Sequence, residues 1–257
     1  MNILAIVGRS FLGFLATLGN ISVFAGQALF HIFTPPVYFR LLGRQLLSVG
    51  YSSLPVVGLT ALFTGAVLAR QIFIGTGRFD AESSVPTIVV FSITRELGPV
   101  IASLMVAGRV SSAMAAEIGT MRVSEQIDAL VTLATNPFKY LIAPRVLATT
   151  LVMPMLVFIG DIIGVMGGYF MATNMLGFNE AAYMRNTIDF LEVSDVVSGL
   201  VKAGVFGFLI ALMGCYHGYR SGGGAQGVGR ATTNAVVSAS IMILAANYII
   251  TELLFAQ

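Results

Sequence analysis

Apolar runs of membrane-crossing length dominate the chain. Residues 46–74, 85–116, 144–173, 195–216 and 231–255 each exceed the roughly 20 apolar residues that a transmembrane helix needs. The second is most apolar over 85–107, and its small-residue tail carries the helix to 116. Pro55 lies inside the first and predicts a kink, because proline lacks the amide donor. Residues 1–34 are apolar but broken by Arg9, Ser10, Thr17, Asn20, Ser22 and Gln27, and Pro35-Pro36 stops any helix there. That segment is long enough to span, yet its scattered polar positions equally suit a helix lying in the interface. The pattern leaves both open.

The segments between the spans differ in kind. Residues 75–84 read as a turn-rich loop, 174–194 as an acidic loop with Glu180, Asp189 and Glu192, and 217–230 as a flexible glycine-rich loop. The connector 117–143 is patterned. A short helix is predicted over 123–134, with Ser124 and Glu125 at a capped start and Asn136-Pro137 at its end. Val123, Ile127 and Leu130 form an i, i+4, i+7 stripe. Such a helix can dock on a partner or float at the interface.

Composition fixes the class. The 257 residues are 56% hydrophobic and 10% charged, with mean hydropathy +0.88, whereas soluble domains carry about 25% charged residues. The expected fold is an all-α polytopic membrane protein forming one unit over 1–257, with no separate soluble domain. A net charge of +2 gives no reason to expect a nucleic-acid partner, and the single cysteine, Cys215, cannot form an internal disulfide. A basic n-region with a cleavage site and an Arg/Ser-rich transit segment are both missing. A bacterial inner membrane is the simplest home. Arg40, Arg44, Arg109, Arg122, Lys139, Arg145, Arg220 and Arg230 fall on one set of loops, and Arg70, Arg78 and Arg185 on the other. The first set is therefore expected in the cytosol, which puts the connector inside and the C-terminus in the periplasm.

Charges inside the spans are the candidate chemistry. Arg95 and Glu96 lie about 15 Å into the second span at 1.5 Å per residue. Intramembrane charges are costly unless paired or wet, so they read first as a polar site on a translocation path and second as a structural lock. Adjacent helical residues point about 100° apart, so each needs a partner elsewhere. Asp161 in the third span, Asp195 and Lys202 in the fourth, and Asn247 and Glu252 in the fifth are available. Asp195 and Lys202 share one helical face. For Asp161 a bland packing role is at least as good. Gly160, Gly164 and Gly168 recur every four residues and predict close helix packing within the chain. No P-loop is present, since Lys139 and Lys202 are the only lysines and neither follows a glycine-rich turn. His31 and His217 stand alone, so no metal set is expected. Any driving energy must come from another chain or from an ion gradient acting through Asp161 and Glu96. A scaffold without transport is a third reading.

The stretch RELGPVIASLMVAGRVSSAMAAEIGTMRVSEQIDAL, followed by NPFKYLIAPRVLA and GVGRATTNAVVSAS, resembles the MlaE (YrbE) family of ABC-transporter permeases. The likeness covers about residue 45 to the C-terminus. It implies an interfacial N-terminal elbow over 1–36 followed by five transmembrane helices. It implies a homodimer with a cytosolic pair of ABC ATPase subunits, which bind the ATP and magnesium, while this chain binds no cofactor and catalyses nothing itself. It implies phospholipid transport between the inner membrane and a periplasmic, hexameric MCE-domain shuttle, which maintains outer-membrane lipid asymmetry. A STAS-domain protein accompanies some members. The coupling region would be 117–137, with Glu117, Gly119, Met121, Arg122, Glu125, Gln126, Asp128 and Leu130 meeting the ATPase. Arg95 and Glu96 match the family's polar pair near the lipid cavity, and Asp195 and Lys202 its fourth-span charge pair. Asn247 stands where some relatives are acidic. Leu68, Ile72, Leu97 and Ile101 are candidate acyl-chain contacts beside Asp161.

Overall fold

In the computed structural model, which describes residues 3–35, 38–77 and 82–255, every long apolar run becomes a helix and no strand occurs among the described residues. Pro36 of the expected helix stop and Arg78 of the expected loop lie outside these residues. The chain runs α1 (Ile3–Phe33), α2 (Phe39–Thr76), α3 (Val85–Val123), the short α4 (Gln126–Thr132), α5 (Phe138–Met175), α6 (Glu180–Phe190), α7 (Val193–Tyr219) and α8 (Gly224–Phe255). Six of these, all but α4 and α6, are long and apolar enough to cross a membrane. The protein is a multi-pass, all-α membrane protein.

Small residues set the packing. α2 crosses α5 where Gly65 meets Gly164. A Cβ on Gly65 would lie 1.8 Å from the Gly164 carbonyl oxygen, so only glycine permits this approach. The expected close packing along Gly160, Gly164 and Gly168 is therefore within the chain, against α2 and α3. α7 is the central helix. Phe206, Ile210, Met213 and Cys215 on it are fully buried. α1 is mostly exposed, with Phe11, Leu12, Val23, Phe30 and Phe33 each more than half accessible, but Phe24 and Ala28 are buried. Phe24 packs on Phe138, Tyr216 and Tyr219, with ring centroids 5.1, 5.5 and 6.1 Å away.

Several expected boundaries move, each for a local reason. Pro55 lies within a continuous α2. The acidic segment 174–194 is not a loop but contains α6, started by Asn179, whose side chain accepts from the Ala182 amide at 3.1 Å. Tyr183 on α6 is buried, and that burial pushes its phenol up to about 12. The glycine-rich segment is a loop only over 220–223, because α7 reaches Tyr219 and α8 begins at Gly224. α4 starts at Gln126 rather than 123. The Ser124 hydroxyl bonds back to the Thr120 carbonyl at 2.8 Å instead of capping forward. Glu125 takes a left-handed conformation, φ 60°, and makes no side-chain cap.

Candidate functional site

Arg95 and Glu96 sit in a π turn of α3, Ile93–Leu97. Pro99 explains the break. In a regular helix the Arg95 carbonyl would accept from the amide of residue 99, which proline lacks. The Gly98 amide bonds instead to the Ile93 carbonyl, five residues back. The Arg95 carbonyl then receives the Lys202 ammonium of α7 at 3.1 Å. π turns are rare and favour functional positions. α7 comes this close because a Cβ on Gly199 would lie only 2.4 Å from the Thr94 carbonyl oxygen.

Glu96 is the centre of the cluster. Its carboxylate accepts from Lys202 Nζ at 2.6 Å, Asn247 Nδ2 at 2.9 Å and the Thr251 hydroxyl at 3.0 Å. Three donors from α7 and α8 thus converge on one anion, and charge-assisted bonds of this kind are the strong ones. The Lys202 side chain is fully buried, whereas Glu96 keeps 34% of its side chain accessible. Arg95 pairs separately with Asp195, Nε to Oδ1 3.4 Å, and its guanidinium lies 4.8 Å from the Phe91 ring centroid. The fourth-span residues Asp195 and Lys202 therefore do not pair with each other. Each reaches across to one of the adjacent residues on α3.

The remaining expected lipid-site residues disperse. Asp161 is buried on α5, its Oδ1 has no hydrogen-bond partner, and a Cβ on Gly98 would lie 1.8 Å from that oxygen. It abuts the π turn at Gly98 and takes no part in the Glu96 bonds. Leu97 and Ile101 line a small crevice of about 20 Å³ between α2, α3 and α5, together with Thr60 and Thr64. Leu68 lines an open groove of about 400 Å³ with Phe63, Thr64, Val67 and Gln71. Leu68 and Ile72 both pack toward the small cluster around Val85, Val89 and Tyr183. Only Thr64 is common to the crevice and the groove. Glu252 is exposed and takes no part in the cluster. Thr251 was not singled out, although it lies one turn beyond Asn247 on the same face.

At the other end of α3 the connector is tied down by charge. Glu117 pairs with Arg145 at 2.8 Å, and the Arg145 side chain is only 7% exposed. Arg145 also donates to the Leu141 carbonyl at 2.7 Å. Its role is invisible from sequence, where it counts only as a topogenic charge. Arg122 pairs with Asp128 at 2.7 Å across the Glu125 turn, with its guanidinium 5.9 Å from the Tyr219 ring. Of the expected stripe, Ile127 is fully buried and Leu130 packs on the core, while Val123 is exposed. Gly119 is buried, its carbonyl accepting from the Ser221 hydroxyl at 3.3 Å, and Met121 packs on the core. Glu125, Gln126 and Asp128 face outward. His31 is not isolated: its Nε2 is 2.9 Å from Asn136 Nδ2, and its ring stacks on Phe138. Lys139 donates to the Pro35 carbonyl. His217 contacts the Ser238 hydroxyl at 2.7 Å. No group of three or more His, Cys, Asp or Glu that could hold a metal occurs among the described residues.

The family model Permease MlaE matches residues 42–253. A probable ABC transporter permease protein of Rickettsia conorii is 59% identical over 254 residues, covering 99% of this chain and 98% of that one. The intermembrane phospholipid transport system permease protein MlaE of Haemophilus influenzae is 33% identical over 260 residues, covering 99% and 98%. The chloroplastic protein trigalactosyldiacylglycerol 1 of Arabidopsis thaliana is 35% identical over 236 residues, covering 92% of this chain and 67% of that one.

Proposed function

The chain belongs to the MlaE permease family of ABC transporters, and from that premise we propose that it carries phospholipid across or out of a bacterial inner membrane. The reading is of one half of a homodimer. A cytosolic pair of ABC ATPases binds ATP and magnesium and grips the connector. A hexameric MCE-domain protein takes or delivers lipid in the periplasm and so sustains outer-membrane asymmetry, with a STAS-domain subunit as an accessory. α1 is an elbow in the interface and the other five long helices span, so the C-terminus is periplasmic. The docking of Phe24 on Phe138, Tyr216 and Tyr219 at the connector end, with Phe11, Leu12, Val23, Phe30 and Phe33 exposed, supports the elbow.

The observation that carries the reading is the Glu96 cluster. It is a neutralised polar knot set among apolar helices, with Arg95 at its edge, 24% of its side chain accessible. A phospholipid needs a polar contact for its phosphate and an apolar path for its chains. An arginine suits the first, and the Leu68 groove on α2 suits the second. ATPase closure would push on Glu125, Gln126 and Asp128, and α3 would carry that push to the π turn.

The test is purification of the tagged protein in mild detergent, followed by reconstitution of the complex and measurement of ATP hydrolysis and lipid transfer. Recovery of an ABC ATPase, an MCE-domain protein and phospholipid is expected. Replacing Glu125 and Asp128 by alanine should leave ATP turnover and abolish transfer. Recovery of the chain alone, or transfer driven by a proton gradient without ATP, overturns the reading in favour of ion coupling through Glu96 and Asp161.

A further inference from the structure

A second polar site lies far from the Glu96 cluster. Where α1 passes the connector and the end of α7, a cleft of about 610 Å³ opens. Asn20, Val23 and Gln27 of α1 line it on one side, and Arg122, Tyr219 and Arg220 on the other. The cleft is about 40 Å from Arg95 along α3, at 1.5 Å per residue. Among the described residues no acidic side chain lines it.

Its two cations are ordered differently. Arg122 is balanced by Asp128. Arg220 has no carboxylate partner among the described residues. Its guanidinium lies 5.0 Å from the Tyr216 ring centroid and donates to the Tyr216 hydroxyl at 3.0 Å. It is thus a pre-positioned cation whose remaining donors point to no protein anion. Val23 lines the cleft between Asn20 and Gln27, and Phe30 follows one turn on; both are exposed, so the polar lining adjoins bare apolar surface, as at the boundary between water and lipid.

We infer that this cleft binds the phosphate of an anionic phospholipid in the leaflet at the connector end, wedged between α1 and the connector. The planar guanidinium of Arg220 takes two phosphate oxygens. The carboxamides of Asn20 and Gln27 donate from the other wall, and the exposed face of α1 guides the acyl chains. Basic pockets between helices at headgroup depth recognise anionic lipid in this way. The bound lipid would staple the elbow to the part of the chain that moves. The site is separate from the transport cluster and stands whether or not Glu96 handles cargo.

The experiment uses the full chain in vesicles that contain a photoreactive phosphatidylglycerol, with the label close to the headgroup. Adducts are mapped by peptide mass spectrometry. Labelling is expected on the segments bearing Asn20, Gln27 and Tyr219. Arg220→Gln should reduce it about fivefold, the size of one basic contact at a membrane surface. Gln27→Leu, which leaves α7 untouched, should reduce it about twofold. Labelling near Leu97 should stay unchanged in both. Equal labelling by a zwitterionic phosphatidylcholine analogue, or no loss in either variant, would overturn the proposal. Removal of the adducts by millimolar inorganic phosphate would overturn the lipid assignment and give the cleft to a soluble phosphate.

Discussion

Lys202 and Glu96 form an unequal pair: at 2.6 Å the ammonium is fully enclosed while the carboxylate keeps about a third of its surface. Loss of either partner therefore has a different cost. Glu96→Gln leaves a buried cation without its counter-charge and should destabilise by about 3–5 kcal/mol. Lys202→Met leaves a carboxylate that still holds Asn247 and Thr251, and should cost about 1–3 kcal/mol, mainly for the orphaned Arg95 carbonyl. Thermal unfolding followed by size-exclusion fluorescence will rank the two. A lower melting point for Lys202→Met than for Glu96→Gln contradicts this account.

Gly98 and Asp161 occupy adjoining space, and their substitutions should not add. Gly98→Ala puts a methyl group 1.8 Å from Asp161 Oδ1 and should destabilise by about 2 kcal/mol or more. Asp161→Ala removes the nearer obstructing oxygen and leaves the Ile93 carbonyl oxygen 2.7 Å from the new methyl group. The double variant should be more stable than Gly98→Ala alone, with a coupling of about 1–3 kcal/mol in a double-mutant cycle. Additive losses would show that the two do not meet.

Glu117 of α3 pairs with the buried Arg145 near the start of α5. Glu117→Gln should loosen the connector without unfolding the spans. Limited proteolysis between residues 123 and 136 should accelerate about tenfold, as expected for loss of roughly 1.4 kcal/mol of local stability. An unchanged cleavage rate would mean that Arg145 is held by the Leu141 carbonyl alone.

Tyr183 carries a buried hydroxyl with no partner. Tyr183→Phe should be neutral or slightly stabilising at pH 7, because no hydrogen bond is lost. The folded-state phenol titrates near 12 rather than its ordinary 10. A raised value means that its contribution is intact below pH 10 and is lost as pH rises toward 12. The phenylalanine variant should therefore show a smaller drop in melting temperature between pH 9 and pH 11.5 than the native chain. An equal drop would place the alkaline sensitivity elsewhere.

The spans were legible because twenty apolar residues in a row have few other uses. The charged residues at 95, 96, 195 and 202 were legible because their burial demands partners. Which partner each finds was not. The seven-residue spacing of Asp195 and Lys202 puts both on one face, but whether they meet each other or two residues on α3 depends on the π turn set by Pro99. α6 was missed although its start was readable, since Asn179 followed by Glu180 is a helix-opening pair. α4 was misplaced because a serine hydroxyl can serve the helix before it as well as the one after. The acyl-contact residues split into two pairs, Leu68 with Ile72 and Leu97 with Ile101, because a sequence shows a helical stripe but not which neighbour each side of it meets.

The Gly65–Gly164 crossing has a mechanical consequence. α2 and α5 run 38 residues each, or about 57 Å, against a hydrocarbon layer of about 30 Å. In both helices the contact lies about 39 Å from the connector end and about 17 Å from the other. The crossing is not isolated: a Cβ on Gly167 would lie 2.3 Å from the Leu62 carbonyl oxygen, and Gly58 and Gly50 lie against Ile163 and Val152 nearer the connector end. Two rods interlocked along this length resist sliding and move as one body. A push at the connector end of either is therefore carried undiminished to the opposite mouth.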